Sequence, residues 1–357
     1  MALRRRSQSF RPSRKWMVIM ALTGIVALTA LGVGYRYYRW FFASNIITPG
    51  TEAHYIYIPN GAEFDEVMAL LQREKILKST PSFHKVAQLM KYPSLIKGGR
   101  YRVRTGMSNY ELVSALRAGK QSPVKLTFTN IRTKADLAHV VSQKLMTDSA
   151  ELVKLLHDND YLKQYDATSQ TALARFIPNS YELYWNTDAK GFVERMHKEY
   201  RRFWSEQRTQ QAQRTQLTPD EISTLASIVD EETQKNDEKP IVAGLYLNRL
   251  KKRMLLQADP TVKFALGDFT IKRILHKDLE IDSPYNTYKY VGLPPGPIRI
   301  PSITAIDAVL NAQQHDYLYM CAREDFSGYH NFAKSLAQHN VNAAKYRKAL
   351  KERNIWR

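Results

Sequence analysis

Three consecutive acids, Asp230-Glu231-Glu232, close an apolar-patterned segment, and a fourth, Asp259, follows within Leu256-Gln257-Ala258-Asp259-Pro260-Thr261-Val262. Carboxyl groups are the groups that glycosidic-bond chemistry requires: one protonates a leaving oxygen and, in two-carboxylate enzymes, another activates water or attacks. The helix that carries them decides which acid can do this. Thr218-Pro219-Asp220-Glu221 is a helix start, with Thr at the cap, Pro at the first helical position and Glu placed for a capping box. The helix should run to about Thr233, with Ile222, Leu225, Ala226, Ile228 and Val229 on one face. Glu232 lies three and four residues beyond Val229 and Ile228 and continues that face, whereas Glu231 projects to the opposite side and Asp230 to one edge. A carboxyl on an apolar face is costly to ionise, so its pKa should rise towards neutrality, as a general acid needs. Beside this stands the plainer reading of a helix-terminal Glu that bends to solvent or pairs with Lys or Arg. Asp259 also has two readings, a cap for the turn or helix that begins at Pro260 and, second, a partner acid.

Other polar groups gather downstream. Pro284-Tyr285-Asn286-Thr287-Tyr288 and Gly292-Leu293-Pro294-Pro295-Gly296-Pro297-Ile298 are loops whose rings and amides could line a sugar cleft or simply build turns. His330-Asn331-Phe332 and His339-Asn340 add further polar groups, but no His spacing is diagnostic of a metal. The single Cys321 excludes an internal disulfide and a thiolate zinc cluster. With no G-x-S-x-G, H-E-x-x-H or P-loop pattern, serine-hydrolase, zinc-protease and NTPase chemistry have no motif support, and neither metal nor cofactor is expected.

The elements that must position these groups begin with an anchor. Trp16–Tyr35 is an uncharged apolar stretch, preceded by Arg4, Arg5, Arg6, Arg11, Arg14 and Lys15 without an acid. It is long enough for a hydrocarbon layer of about 30 Å, and longer than the core of a cleaved signal peptide. The basic side should stay in the cytoplasm, which puts everything after Arg36 outside. Residues 1–15 are then a cytoplasmic basic tail and 16–35 a transmembrane helix. With 53 Lys and Arg against 34 Asp and Glu, the formal charge is +19. Outside a membrane this favours anionic envelope material over nucleic acid, for which no stacking or finger motif is present.

The exported part reads as α+β. His54–Ile58 alternates like a strand, helices are expected around Phe64–Ile76 and Phe83–Met90, and Tyr101–Arg104 returns as a strand. Ser108 opens a capped helix to Ala118, Val124–Thr129 is a strand, and Thr133 caps a helix to Leu145, so 50–145 forms one compact region. Helices over 149–165 and 189–213 connect it, within 146–217, to the acid-bearing part at 218–350. The Pro240 helix should point Ile241, Val242, Leu245 and Asn248 inward.

The helix Ser227–Thr233, the run Asn248-Arg249-Leu250, Leu256–Val262, Tyr285-Asn286-Thr287-Tyr288, Gly292–Ile298 and His330-Asn331-Phe332 with His339-Asn340 occur in an order and spacing that resembles the endolytic murein transglycosylases, the MltG or YceG-like family. The family pattern I-V-E-K-E-T reads here Ile228-Val229-Asp230-Glu231-Glu232-Thr233, and its second Glu, the family's catalytic acid, falls on Glu232. The usual P-D-T turn is Pro178-Asn179-Ser180. The resemblance implies a small LysM-like α+β module over 50–145 before a mixed α/β catalytic domain. It implies cleavage between N-acetylmuramic acid and N-acetylglucosamine within peptidoglycan strands, the muramyl C6 hydroxyl closing a 1,6-anhydro ring. One carboxyl suffices for that route. Gln257, Asp259, Tyr285, Asn286 and His330 become candidates for substrate binding, and peptidoglycan synthases candidate partners. Two alternatives remain: a hydrolytic muramidase pairing Glu232 with Asp259, and a non-enzymatic envelope scaffold that holds glycan.

Overall fold

A computed structural model of the chain describes residues 13–50, 53–271 and 273–355. Arg4, Arg5, Arg6 and Arg11, most of the basic tail, lie outside the described residues. The protein is a mixed α+β chain that opens on one helix long and apolar enough to cross a membrane.

That helix, α1 (Arg14–Phe42), starts at Ser13, whose hydroxyl accepts the Trp16 amide, and none of its residues is buried. It outlasts the apolar run because its last turn packs on protein: Trp40 and Phe41 lie against a folded core, and the Asn109 side-chain amide donates to the Trp40 carbonyl at 2.9 Å.

The first of two compact units comprises residues up to Pro123 with Tyr184–Asn186. After α1 it runs β1 (His54–Ile58), α2 (Phe64–Arg73), α3 (Thr80–Leu89), β2 (Gly99–Val103) and α4 (Asn109–Ala118). The strands pair antiparallel, His54 opposite Val103 and Ile58 opposite Gly99. Their inward residues Ile56, Ile58 and Tyr101 meet Leu71, Phe83, Val86 and Leu112 in one core. The expected cap forms at Ser108, whose side chain takes the Glu111 amide while Glu111 reaches back to the Ser108 amide.

The second unit begins at Val124. Its elements are β3 (Val124–Thr127), α5 (Lys134–Ser142), α6 (Ser149–His157), α7 (Asn159–Lys163), β4 (Ser180–Leu183), α8 (Ala189–Phe203), α9 (Glu206–Thr215), α10 (Pro219–Glu232), α11 (Lys239–Lys251), α12 (Asp259–Leu266), α13 (Ile303–Leu310), β5 (Tyr319–Ala322), β6 (His330–Ala333) and α14 (Leu336–Glu352). Thus β3 and α5, grouped by sequence with the preceding module, pack elsewhere. The partner of β3 is the distant β4, Val124 opposite Leu183, and Leu126, Phe128, Leu137 and Val141 share a core with Leu152, Phe176 and Phe192. That partner strand starts at Ser180, the last residue of the Pro178-Asn179-Ser180 turn. The single helix expected over 189–213 is two, broken at Trp204 and restarted at Ser205. A second core gathers α10, α11 and α13 around Ile222, Leu225, Val229, Val242 and Ile306. Gly244 makes the close approach possible, since a Cβ there would meet the Gln313 carbonyl oxygen at 2.4 Å.

Candidate functional site

The site grows from the end of α10. Thr218 and Glu221 form the expected capping box with Pro219 in the first turn, so the helix start is fixed and its phase carries to the acids. The three acids then take different partners. Asp230 is buried, not at an edge: it accepts Lys239 Nζ at 2.7 Å, the Ser302 amide at 3.0 Å and the Ser302 hydroxyl at 2.8 Å. Burial opposes its ionisation, but Lys239 and Ser302 outweigh it and hold the carboxyl below its usual range. Glu231 does not face open solvent either. Both its oxygens take Arg132 Nη2, at 2.9 and 2.8 Å, and Arg299 Nη1 donates to Oε1.

Glu232, the last residue of α10, turns to a tyrosine instead. Its Oε1 accepts the Tyr246 hydroxyl at 2.7 Å. Burial pushes its pKa up to about 7; the Tyr246 hydrogen bond and His330 work against the shift, and the charges of Asp259 and Glu231 add to it. Tyr246 is itself driven well above its ordinary range by burial and by the neighbouring Glu232.

Two adjoining hollows meet at this carboxyl. The larger, about 750 Å³, is lined by Glu231, Glu232, Asp259, Lys263 and Arg347 among others, and the smaller, about 260 Å³, by Glu232, Tyr246, Gln257, Asp259, Tyr288 and His330. Glu232 and Asp259 therefore stand on the wall common to both. Asp259 is the first residue of α12 behind Ala258 at the cap position, so it is not the cap that the sequence suggested. Its Oδ1 instead accepts the Tyr288 hydroxyl at 2.5 Å. Gln257 holds a left-handed backbone (φ 52°), and its Oε1 accepts Arg249 Nη1 at 3.1 Å. His330, first residue of β6, is gripped by Glu238: its amide donates to Oε1 and its Nδ1 lies 2.8 Å from Oε2, which also accepts the Thr233 hydroxyl. Burial alone would raise Glu238, yet the bonds from His330 and Thr233 bring it below its usual range.

Two expected residues stay out of the cleft. Tyr285 packs its ring on Phe264 at 4.7 Å, and Asn286 is fully buried, donating to the carbonyls of Leu279 and Ile281. Their loop acts from behind: Thr287 accepts the amides of Gln257 and Ala258 through its carbonyl and hydroxyl, and so seats the segment that leads into α12 and Asp259. Tyr246 and Glu238 escaped the sequence reading because each lies in an ordinary apolar or charged helical context until its partner is known, and Tyr288 and Arg249, named there only within longer runs, prove to hold Asp259 and Gln257. Among the described residues no group of three His, Cys, Asp or Glu could hold a metal ion.

The arrangement can offer a proton at neutral pH from one carboxyl with acids, hydroxyls and an imidazole around it. Residues 56–345 match the model of the YceG-like family. The chain is 28% identical over 307 residues to the endolytic murein transglycosylase of Bacillus subtilis (strain 168), covering 82% of this chain and 84% of that protein. It is 27% identical to the endolytic murein transglycosylase of Streptococcus pneumoniae serotype 2 (strain D39), over 92% of this chain but 65% of that relative's length. In three dimensions it is similar to a YceG-like protein from Listeria monocytogenes, with a TM-score of 0.54 and 27% identity over 82% of this chain and 99% of that one.

Proposed function

Because the chain belongs to the YceG-like family, we propose that it is a membrane-anchored lytic transglycosylase that cleaves peptidoglycan strands internally, with Glu232 as acid and then base. The observation that carries this reading is the placement of Glu232 on the cleft wall, where burial pushes its pKa up to about 7, near the range in which a carboxyl can both give and take a proton. Protonated, it donates to the oxygen that leaves N-acetylmuramic acid. As carboxylate it then accepts the proton of the muramyl C6 hydroxyl, which attacks its own anomeric carbon and closes the 1,6-anhydro ring. No water is consumed, and one carboxyl serves both halves. Tyr246 steadies the carboxylate between them through its 2.7 Å hydrogen bond. Gln257, Asp259 and His330, on the same walls, are positioned to orient the sugar.

Glu232→Gln keeps the shape and removes the proton. It should lower release of anhydromuramyl products from purified strands by at least about a hundredfold while thermal unfolding stays unchanged. Wild-type release by a folded variant would overturn the assignment. One observation favours a second reading, hydrolysis by a carboxylate pair: Asp259 shares the cleft with Glu232. Mass spectrometry separates the two, because a hydrolytic end is heavier by one water than an anhydro end.

The remaining parts fit this role. We read residues 1–15 as the cytoplasmic tail, α1 with its 16–35 core as the membrane span, the β1 to α4 part of 50–145 as a LysM-like glycan-binding module, 146–217 as a connection and 218–350 as the catalytic core. The β1-α2-α3-β2 order supports the module. Peptidoglycan synthases are natural partners for such an anchored enzyme, which would work on the outer face of the cytoplasmic membrane.

A further inference from the structure

Away from the Glu232 cleft, a cavity of about 330 Å³ in the second unit gathers basic groups without an acid on its wall. Thr133 caps α5, which puts Lys134 at the first helical position with its side chain turned into this cavity. Its Nζ lies 2.6 Å from Ser169 Oγ and 3.3 Å from His157 Nδ1. Both acceptors are neutral when they receive it, and among the described residues no carboxylate comes within ion-pairing distance of Lys134. Arg132, on the same wall, spends its guanidinium on Glu231. Ser169 is fixed in turn, its amide donating to Asn159 Oδ1 at 2.7 Å. Burial brings the Lys134 ammonium down to about 8, the mark of a cation without a counter-charge. The rest of the wall is largely apolar, with Phe264 and Tyr285 ring to ring.

A half-buried ammonium beside a hydroxyl calls for an anion, and the apolar wall next to it calls for an aliphatic flank on the same ligand. We propose that this pocket binds a short aliphatic carboxylate, the group that the carboxyl end of a small peptide presents, with Lys134 as counter-ion and Ser169 as hydroxyl donor. Only the source of that carboxylate rests on the function proposed above: on murein strands it would be the peptide that the strand carries, and otherwise a free small acid.

The test uses the full chain in detergent and N-acetyl-D-alanyl-D-alanine as probe, with its carboxyl-terminal amide as control, read by titration calorimetry. The acid should bind at least about tenfold more tightly than the amide, since only the acid forms the charge-assisted bond. Lys134→Met should remove that difference, and Lys134→Arg should keep it. Equal binding of acid and amide, an unchanged preference in folded Lys134→Met, or loss of binding in Glu232→Gln, which would seat the probe in the cleft, would each overturn the proposal. A second comparison finds the source. If the strand's peptide occupies the pocket, Lys134→Met lowers the ratio of kcat/KM on peptide-bearing over peptide-stripped strands by about tenfold. An unchanged ratio with intact probe binding in the wild type assigns the pocket to a free acid. Probe binding does not depend on turnover, so an enzyme that gave no anhydro product would refute the catalytic reading and leave this one standing.

Discussion

A residue proposed to give a proton and then take one is best served by a pKa near the working pH, and at Glu232 two opposed influences set it. Burial drives the carboxyl up to about 7, while the Tyr246 hydroxyl favours the ionised form. The first step needs the protonated acid, so kcat should fall as pH rises through about 7. Tyr246→Phe removes a bond that lowers the pKa, and the falling limb should move to higher pH; a limb that stays or moves down would mean that the bond does not tune the acid. Glu232 itself was legible, because helical phase alone placed it on the apolar face. Its environment was not. Tyr246 sits in IVAGLYLNRL, a segment buried on most sides, where nothing distinguishes a tyrosine that fills space from one that holds the proposed acid. Asn286 shows the converse: its side-chain amide looks like a sugar ligand, yet it is consumed by two carbonyls of its own loop.

At the scale of elements, the acids are aimed by a lock one residue before Glu231. Asp230 and Lys239 are each about 6% exposed, and Ser302 adds two donors, so the end of α10, the start of α11 and the start of α13 meet at one carboxylate. Lys239→Met would leave a buried charge short of its counter-ion and should cost about 3–5 kcal/mol. In a unit of this size that corresponds to a fall of roughly 10 °C in its unfolding midpoint. Asp230→Asn combined with Lys239→Met should lose far less than the two single losses added, as coupled partners do. Additive losses would show that the two are independent. Sequence phase put Asp230 at an edge, because a helix wheel carries no information about the cation that α11 brings to it. The same limit hid the β3 and β4 pairing: strand character was readable at Val124, but the partner lies beyond three helices. Capped starts were the most legible features: Ser108 and Thr218 form the boxes that their spacing encodes, and Thr133 caps α5 as expected.

For the whole molecule, the excess of 53 basic over 34 acidic residues divides by position. Arg4, Arg5, Arg6, Arg11, Arg14 and Lys15 precede the apolar run, and in the proposed topology, which follows the positive-inside tendency, the amino terminus stays in the cytoplasm and the acid-bearing unit lies outside. The continuation of α1 into Trp40 and Phe41 ties the apolar helix directly to the first unit's core, so in the proposed topology the side on which that core emerges follows from the orientation of α1. Orientation is therefore testable with thiols. In a Cys321→Ser background, Ser205→Cys places a thiol at an exposed helix start in the second unit, and Ser7→Cys places one in the basic tail. A membrane-impermeant maleimide applied to spheroplasts should label the first at once and the second only after permeabilisation. Labelling in the opposite order would put the Glu232 cleft in the cytoplasm, away from any wall polymer. It would remove the proposed substrate while leaving the acid's chemistry intact.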